Sequence, residues 1–423
     1  MLLHIYSYNY YPEPVGIPYF NTALAEWLVE NGNNSVVMNT GIPHYPWWKI
    51  PEQYQNKNFY FGKGDELISG VLVKRSPHYV PRLPINGIKR MILDLTWTVN
   101  IFLRSFFERK RPKIIIMISP PFLNGLLGLW LRWKWRIPAI YHIQDLQIDA
   151  AIDLEIIGKS FSAILKRIER IIIENIDQVT TISWGMKRQI QEKSNLKISV
   201  KLFPNWAETN KVKIHCGENQ YRTLLNIGKN DIVIMYSGSI GKKQGIETLV
   251  ESFAILQKEF PRSHLVIAGE GSGKEELLIN IRLMELRNIH ILPLVSKDLL
   301  SEFLSSADIH CIPQKKSSRD LVMPSKLLNI LSVSGAVVVT AEKGTELFRI
   351  IKSLRCGLVV PSEQPLLLCE SFKYLIINKS ERILMGKIGR KYVEKKLDKR
   401  NILNKFRYDI YMTILKYNKT RHF

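Results

Sequence analysis

Cysteine is scarce in this 423-residue chain: Cys216, Cys311, Cys356 and Cys369 are widely spaced, and no two form a CxxC pair. A zinc site or a disulfide framework has no support, and a reducing cytoplasm is the expected setting. Long apolar runs are missing as well. No stretch of 18 or more uncharged apolar residues occurs, so no membrane-spanning helix is expected. The start, Met1 to Asn9, has no basic region followed by a long apolar one, so no secretory leader is expected. Acidic residues are also few. Thirty-eight Asp and Glu against 60 Lys and Arg leave a net charge of +22. Such a surface favours anionic partners: nucleic acid, phosphorylated ligands or an anionic membrane. The plain alternative is compositional drift in a chain rich in Ile, Lys and Asn. Apolar residues at 46% place the chain among ordinary globular proteins, and its length suggests two domains.

What is present is a repeated architecture. Leu2–Ser7 reads as a strand and is followed by a loop with Pro12, Pro14 and Gly16. Phe20, Ala23, Leu24, Trp27 and Leu28 then recur at helical spacing, and Ser35–Asn39 is a second strand. Ile114–Ser119, Ala139–His142 and Gln178–Ser183 are further short apolar strands of the kind covered on both faces. A second series begins with the strand Asp231–Ser237, the glycine loop Gly238–Gly245 and a helix carrying Leu249, Phe253 and Leu256. Strands at Leu265–Ala268, Ile289–Leu292, Ile309–Ile312 and Val337–Thr340 follow. Strand, glycine loop and helix thus occur twice, which predicts an α/β chain of two Rossmann-like, doubly wound domains facing a cleft. The boundary is placed near Phe203–Trp206, giving domains at 1–204 and 205–397 and a helical, basic tail at 398–423.

Four places carry candidate chemistry. The loop Asn9–Gly16 lies where doubly wound folds face their ligand, and Gly16 permits close backbone approach. It is not a GxGxxG, so the dinucleotide fingerprint is absent there. His142, Gln144 and Asp145 close a strand at the same edge, and Asp149 follows. A carboxylate there can orient a sugar hydroxyl or steady an oxocarbenium-like centre, or simply cap a helix. Gly238, Ser239, Lys242, Lys243 and Gln244 form a glycine loop that suits a diphosphate and is not a Walker A sequence. Ser325 and Lys326 open a helix in Met323–Asn329. A lysine in the first turn opposes the helix dipole, and a bound anion would remove that conflict. Downstream, Glu346 either accepts sugar or ribose hydroxyls or begins a helix.

One further segment stands apart. Ile88, Met91, Ile92, Leu95, Val99, Phe102, Leu103 and Phe106 share one helical face, flanked by Lys89, Arg90, Arg104, Arg109, Lys110 and Arg111. Trp130, Trp133 and Trp135 lie among Arg132, Lys134 and Arg136. The segment is either a basic amphipathic surface for an anionic membrane or a helix packed on the sheet.

The stretches YNYYPEPVG, HIQDLQIDA, LFPNWAE, YSGSIGKKQGIE and MPSKLLNIL resemble glycosyltransferase family 4, in particular its WcaI-type colanic-acid fucosyltransferases and WbuB-like enzymes. The likeness runs from the first strand to about Asp398. It implies a GT-B fold and retaining, metal-independent transfer from a nucleotide sugar without a further cofactor. It implies the donor in the second domain, and in the first a polyprenyl-diphosphate-linked glycan acceptor at the inner face of the cytoplasmic membrane. The donor sugar would be of the L-fucose or N-acetyl-L-fucosamine type, and the product a surface polysaccharide such as O-antigen, capsule or a colanic-acid-like polymer. The catalytic assignments are Asp145, Lys243 and Lys326. Gly238, Ser239, Gln244, Ser325, Asn329 and Glu346 are assigned to the donor, and Gly16, His142 and Asp149 to the acceptor. The chain departs from the family pattern in three places. Ser239 stands where many members carry Arg, and the later loop lysine is displaced to Lys243. The usual glutamate pair is replaced by Leu321, beside Asp320, and Asn329. Two alternatives stand beside this reading: a sugar-nucleotide 2-epimerase of the same fold, and a basic nucleic-acid-binding protein. Nucleic acid is not the expected partner, because charge alone does not account for the two glycine loops.

Overall fold

The computed structural model describes residues 1–14, 16–59, 64–82, 87–153, 159–241, 244–271, 273–316 and 325–420. Two units are distinguished, Met1–Pro204 with Leu403–Phe423, and Asn205–Ile402.

In the first unit the elements run β1 (Leu2–Tyr6), α1 (Ile17–Glu30), β2 (Ser35–Gly41), α2 (Glu52–Gln55), β3 (Glu66–Ile68), β4 (Val71–Ser76), α3 (Gly87–Phe107), β5 (Ile114–Ser119), α4 (Asn124–Trp135), β6 (Ala139–Ile143), α5 (Gln147–Asp153), α6 (Lys159–Asn175), β7 (Gln178–Thr181), α7 (Trp184–Lys193) and β8 (Val200–Leu202). The sheet order is β3-β4-β2-β1-β5-β6-β7-β8. All neighbours are parallel except the edge pair β3–β4. Every residue of β5 is buried, which is why that stretch is apolar without alternation. β1 pairs with β2 on one side (Leu3↔Val36) and with β5 on the other (Leu3↔Ile114). The strand order therefore reverses between β1 and β5, and ligands of open parallel sheets bind at the carboxyl ends beside such a point.

The second unit repeats the plan with α8 (Gln220–Leu224), β9 (Ile232–Ser237), α9 (Ile246–Glu259), β10 (Ser263–Ala268), α10 (Lys274–Leu283), β11 (Ile289–Leu292), α11 (Leu300–Ser305), β12 (Ile309–Ile312), α12 (Ser325–Ser332), β13 (Ala336–Thr340), α13 (Glu346–Leu354), β14 (Gly357–Val360), α14 (Pro365–Ile377) and α15 (Lys379–Lys396). Its six strands are all parallel, in the order β11-β10-β9-β12-β13-β14, so the reversal falls between β9 and β12. Its main core joins Leu249, Phe253 and Leu256 of α9 to Leu368, Phe372 and Leu375 of α14 beneath the strands.

The last helix, α16 (Lys399–Lys419), is not an appendage. Phe406 stacks on Phe203 with ring centroids 3.9 Å apart, and Asp409 binds Lys201 at 2.6 Å. From Leu403 onward the chain belongs to the first unit. The strands β3, β4, β8 and β14 are additions to those read from the sequence. Three have only three or four residues, and β4 carries Lys74 and Arg75, which break the apolar signal.

Candidate functional site

In the second unit, β9 delivers the chain to Gly238 at the reversal point. A Cβ built on Gly238 would lie 2.1 Å from Lys326 Cε and 2.4 Å from its Nζ, so the lysine side chain occupies the space that glycine leaves. Lys326 belongs to the first turn of α12, and its Nζ donates to the Tyr236 hydroxyl at 2.7 Å while lying 4.4 Å from the centre of that ring. The Tyr236 hydroxyl in turn donates to the Ser239 carbonyl at 2.5 Å. Burial holds the Tyr236 phenol above its ordinary range, so it stays a neutral hydroxyl. The strand end, the glycine turn and the helix start are thereby tied together through one ammonium group.

A second glycine loop backs the first. A Cβ on Gly269 would stand 1.8 Å from the Gly238 carbonyl oxygen, and one on Gly271 would stand 2.0 Å from that of Ile240. Gly238 N–H donates to Ala268 and Ile240 N–H to Glu270, at 2.8 and 2.9 Å. Such backbone-on-backbone contact tolerates no side chain. The signal for Gly269–Glu270–Gly271 in the sequence is a glycine cluster directly after a strand.

The remaining donor-side assignments fall around this centre. Ser239 is exposed, and Gln244 Nε2 reaches its hydroxyl at 3.5 Å. Ser325 is the first residue of α12 and exposed, and Asn329 is partly exposed one turn later. Lys242, Lys243, Asp320 and Leu321 lie outside the described residues. Glu346 begins a helix and has a charged partner of its own. It is 4% exposed at the first position of α13 and is clasped by Arg349 at 2.5 and 3.2 Å, which commits both oxygens to a charged partner one turn away.

In the first unit, Gly16 has φ +71° at the start of α1, and no atom lies within 4 Å of where its Cβ would be. The space is open, as close ligand approach requires. Asn21 of α1 donates to Ser7 Oγ at 2.8 Å and accepts from Gln144 Nε2 at 3.0 Å, which joins the loops after β1 and β6. Asp145 stands exposed beyond β6. Its charge reaches Asp94 of α3, whose carboxyl is pushed up to about 6, first by burial and further by Asp145, against the pull of Gln147 and Arg90. Asp94 accepts from Gln147 Nε2 at 3.0 Å. Asp94 was hidden in the sequence within an apolar helix; its signal is the Arg90–Asp94 spacing on the face opposite the apolar stripe.

Two acceptor-side assignments have protein partners of their own. His142 is 2% exposed, bonds to Thr180 Oγ1 at 2.9 Å and packs 4.9 Å from the Phe203 ring. Burial pulls its imidazole down to about 3. Successive strand residues face opposite sides, and His142 faces the layer under α16 rather than the ligand edge. Asp149 is bound by Lys193 Nζ at 2.5 Å, together with Glu169 at 2.6 Å, and serves an ion network between α5, α6 and α7.

A buried carboxylate that the sequence reading did not single out organises the first loop. Glu13 is 3% exposed. Its Oε1 accepts from the His44 and Tyr45 backbone N–H groups at 2.9 Å, and its Oε2 accepts from Asn9 at 2.7 Å. Burial pushes its carboxyl up to about 7 against those bonds.

The long helix α3 turns its apolar stripe outward. Leu93, Trp97, Ile101 and Ser105 are its buried residues, while Ile88, Leu95, Val99, Leu103 and Phe106 are each 46% to 63% exposed. Trp133 of α4 is 70% exposed; Trp135 is buried. Among the described residues no helix is long and apolar enough to cross a membrane, and no group of three or more His, Cys, Asp or Glu is placed to hold a metal ion.

Comparison with known proteins agrees with this architecture. Residues 218–392 match the family model described as glycosyl transferases group 1, and residues 19–206 match the glycosyl transferase 4-like domain. Over 97% of its length the chain is 33% identical to the whole of a protein of Escherichia coli K12 assigned to colanic acid biosynthesis as the glycosyl transferase WcaI. Among solved structures, sucrose-phosphate synthase from Thermosynechococcus elongatus superposes with a TM-score of 0.74 at 16% identity, covering 98% of this chain and 99% of that one. Anabaena HepE in complex with UDP-glucose superposes at 0.68 and 10% identity, covering 97% and 100%.

Proposed function

Because the chain belongs to the glycosyltransferases, with the paired parallel-sheet α/β domains of the GT-B type, we propose that it transfers a sugar from a nucleotide-sugar donor held at Gly238 and Lys326. The observation that carries this reading is the lysine laid across Gly238 where two glycine loops and a helix N-terminus meet. Backbone N–H groups, a helix start and a fixed ammonium are the groups that receive a diphosphate. The UDP-glucose complex of HepE supports a nucleotide sugar as the donor class. The likeness to WcaI supports a role in building bacterial surface polysaccharide, and the donor in this reading is of the L-fucose or N-acetyl-L-fucosamine type, as the sequence motifs imply.

The proposed chemistry is retaining transfer without a metal. As the bond from the anomeric carbon to the diphosphate oxygen breaks, charge grows on the leaving nucleoside diphosphate. Lys326 neutralises that charge without reorganising, and Lys243 of the glycine loop is assigned the same role from the sequence. The acceptor hydroxyl attacks from the leaving-group side, its proton passes to the departing phosphate oxygen, and Asp145 orients the reacting sugars. The acceptor is a polyprenyl-diphosphate-linked glycan presented at the inner face of the cytoplasmic membrane, and the outward apolar stripe of α3 with its basic flanks supports a peripheral association there.

Lys326→Ala tests the reading. Transfer from a panel of GDP- and UDP-sugars to a membrane lipid extract should fall by roughly a hundredfold or more, the usual loss for one preorganised charge-stabilising group, with the melting temperature unchanged. Undiminished transfer overturns it. Donor turnover without acceptor would instead identify an epimerase.

A further inference from the structure

Between β2 and β3 the chain makes an excursion that the donor chemistry does not use. It opens a cavity of about 710 Å³ lined by Pro12, Trp47, Lys49, Glu52, Gln53 and Gln55. Trp47 is 41% exposed, and its neighbour Trp48 is partly buried. Trp48 turns inward at φ +54°, within 5.8 Å of the His44 ring, 5.6 Å of the Tyr45 ring and 5.6 Å of the Arg90 guanidinium. A bulky residue in the left-handed region costs free energy and persists where the surroundings enforce it. Here it leaves the adjacent indole standing free at the cavity.

The excursion is also held rigidly. Ile42, Tyr54 and Phe59 form a small core of their own with Ile50 against them. Arg75, 1% exposed, lies 4.8 Å from the Tyr54 ring and donates to the Tyr11 carbonyl at 2.7 Å. Glu13 grips the His44 and Tyr45 backbone from the other side. Two buried ionisable groups, Arg75 and Glu13, thus fix this wall to the β1–α1 loop that carries Gly16. Removing one partner from such a buried polar network leaves the others unsatisfied, which holds the arrangement in place.

We propose that this cavity is a saccharide subsite, with Trp47 stacking on the apolar face of a sugar ring and Lys49, Glu52 and Gln53 reading its hydroxyls. An exposed indole beside carboxylate, amide and ammonium groups matches a ligand that is apolar on its ring faces and polar at its edge. Pro12 places the cavity four residues from Gly16, so the subsite takes sugars of the acceptor glycan beyond the one that reacts. The proposal rests on the reading of the chain as a glycosyltransferase whose first unit takes the acceptor.

The test uses the full chain labelled with 5-fluorotryptophan, its Trp47 resonance assigned by Trp47→Phe and titrated with chitotetraose and maltotetraose. That resonance should move saturably with at least one tetrasaccharide and stay fixed with sorbitol. Trp47→Ala should weaken binding about tenfold, the scale of a stacked aromatic anchor, and Glu52→Ala and Gln53→Ala should weaken it to a smaller degree. A Trp47 resonance that neither tetrasaccharide moves, or a Trp47→Ala protein that binds as tightly as the parent, overturns the subsite. Thermal stabilisation by nucleotide sugars, measured on the same samples, reads the second unit alone. It therefore separates failure of the subsite from failure of the glycosyltransferase reading.

Discussion

Tyr236 shows how one hydroxyl governs a site that its own side chain does not occupy. It accepts from Lys326 and donates to the Ser239 carbonyl, so it sets where the ammonium stands before any ligand arrives. Tyr236→Phe keeps the ring contact and removes only those bonds. A hydrogen bond to a charged group is worth about 1.5 kcal/mol or more, so kcat should fall about tenfold with donor KM less affected. Unchanged kcat would show that the lysine finds its place without the tyrosine. Glu13 makes a different prediction. Its folded carboxyl titrates near 7 against an ordinary value of 4.5, so between those pH values the folded chain holds a proton that the unfolded chain has lost. Stability therefore declines as pH rises through that window and levels off above it. Glu13→Gln mimics the protonated acid, its amide donating to a flipped Asn9, and should flatten the decline in chemical-denaturation midpoints measured from pH 4.5 to 8. A slope identical to the parent's would rule Glu13 out as its source.

At the scale of elements, α3 is the case where one sequence pattern had two readings. An apolar stripe with basic flanks describes a core helix and a membrane-lying helix equally well. In the structure the residues spaced four apart from Leu93 to Ser105 pack inward, and Ile88, Leu95, Leu103 and Phe106 face out, so the stripe is not the packed face. Replacing exposed side chains leaves the fold's packing intact. Leu95→Asp with Leu103→Asp should keep the parent melting temperature and abolish co-sedimentation with phosphatidylglycerol vesicles. The parent's binding should weaken as salt rises, because the basic flanks contribute through screened attraction. Retention of vesicle binding by the double variant would place the membrane surface elsewhere. The same scale explains the partners of two residues assigned to the acceptor. His142 and Asp149 sit next to ligand-edge positions in sequence, but strand alternation turns the first into the core, and Lys193 of α7 captures the second.

At the scale of the molecule, the doubled plan of strand, glycine loop and helix was legible because it is written in local periodicity. β1, β2, β5, β6 and β7 of the first sheet and β9 to β13 of the second were readable because covered parallel strands are short apolar runs. Glycine turns at their ends marked Gly16 and Gly238 for the same local reason. The charge balance and the absence of long apolar runs likewise followed from composition alone. Strand order, by contrast, depends on pairings between distant residues, and it alone puts the reversals between β1 and β5 and between β9 and β12. The company each side chain keeps follows from that order. Lys326 meets Tyr236 across 90 positions, Glu13 meets His44 across 31, and the chain after Leu403 returns to the first unit through Phe406 and Phe203. Residue type and spacing therefore determined the fold class and the loops where chemistry resides. Which face of α3 is wet, which carboxylates are spoken for and which tryptophan stands free were decided by tertiary packing, because burial is a property of neighbours that local sequence does not contain.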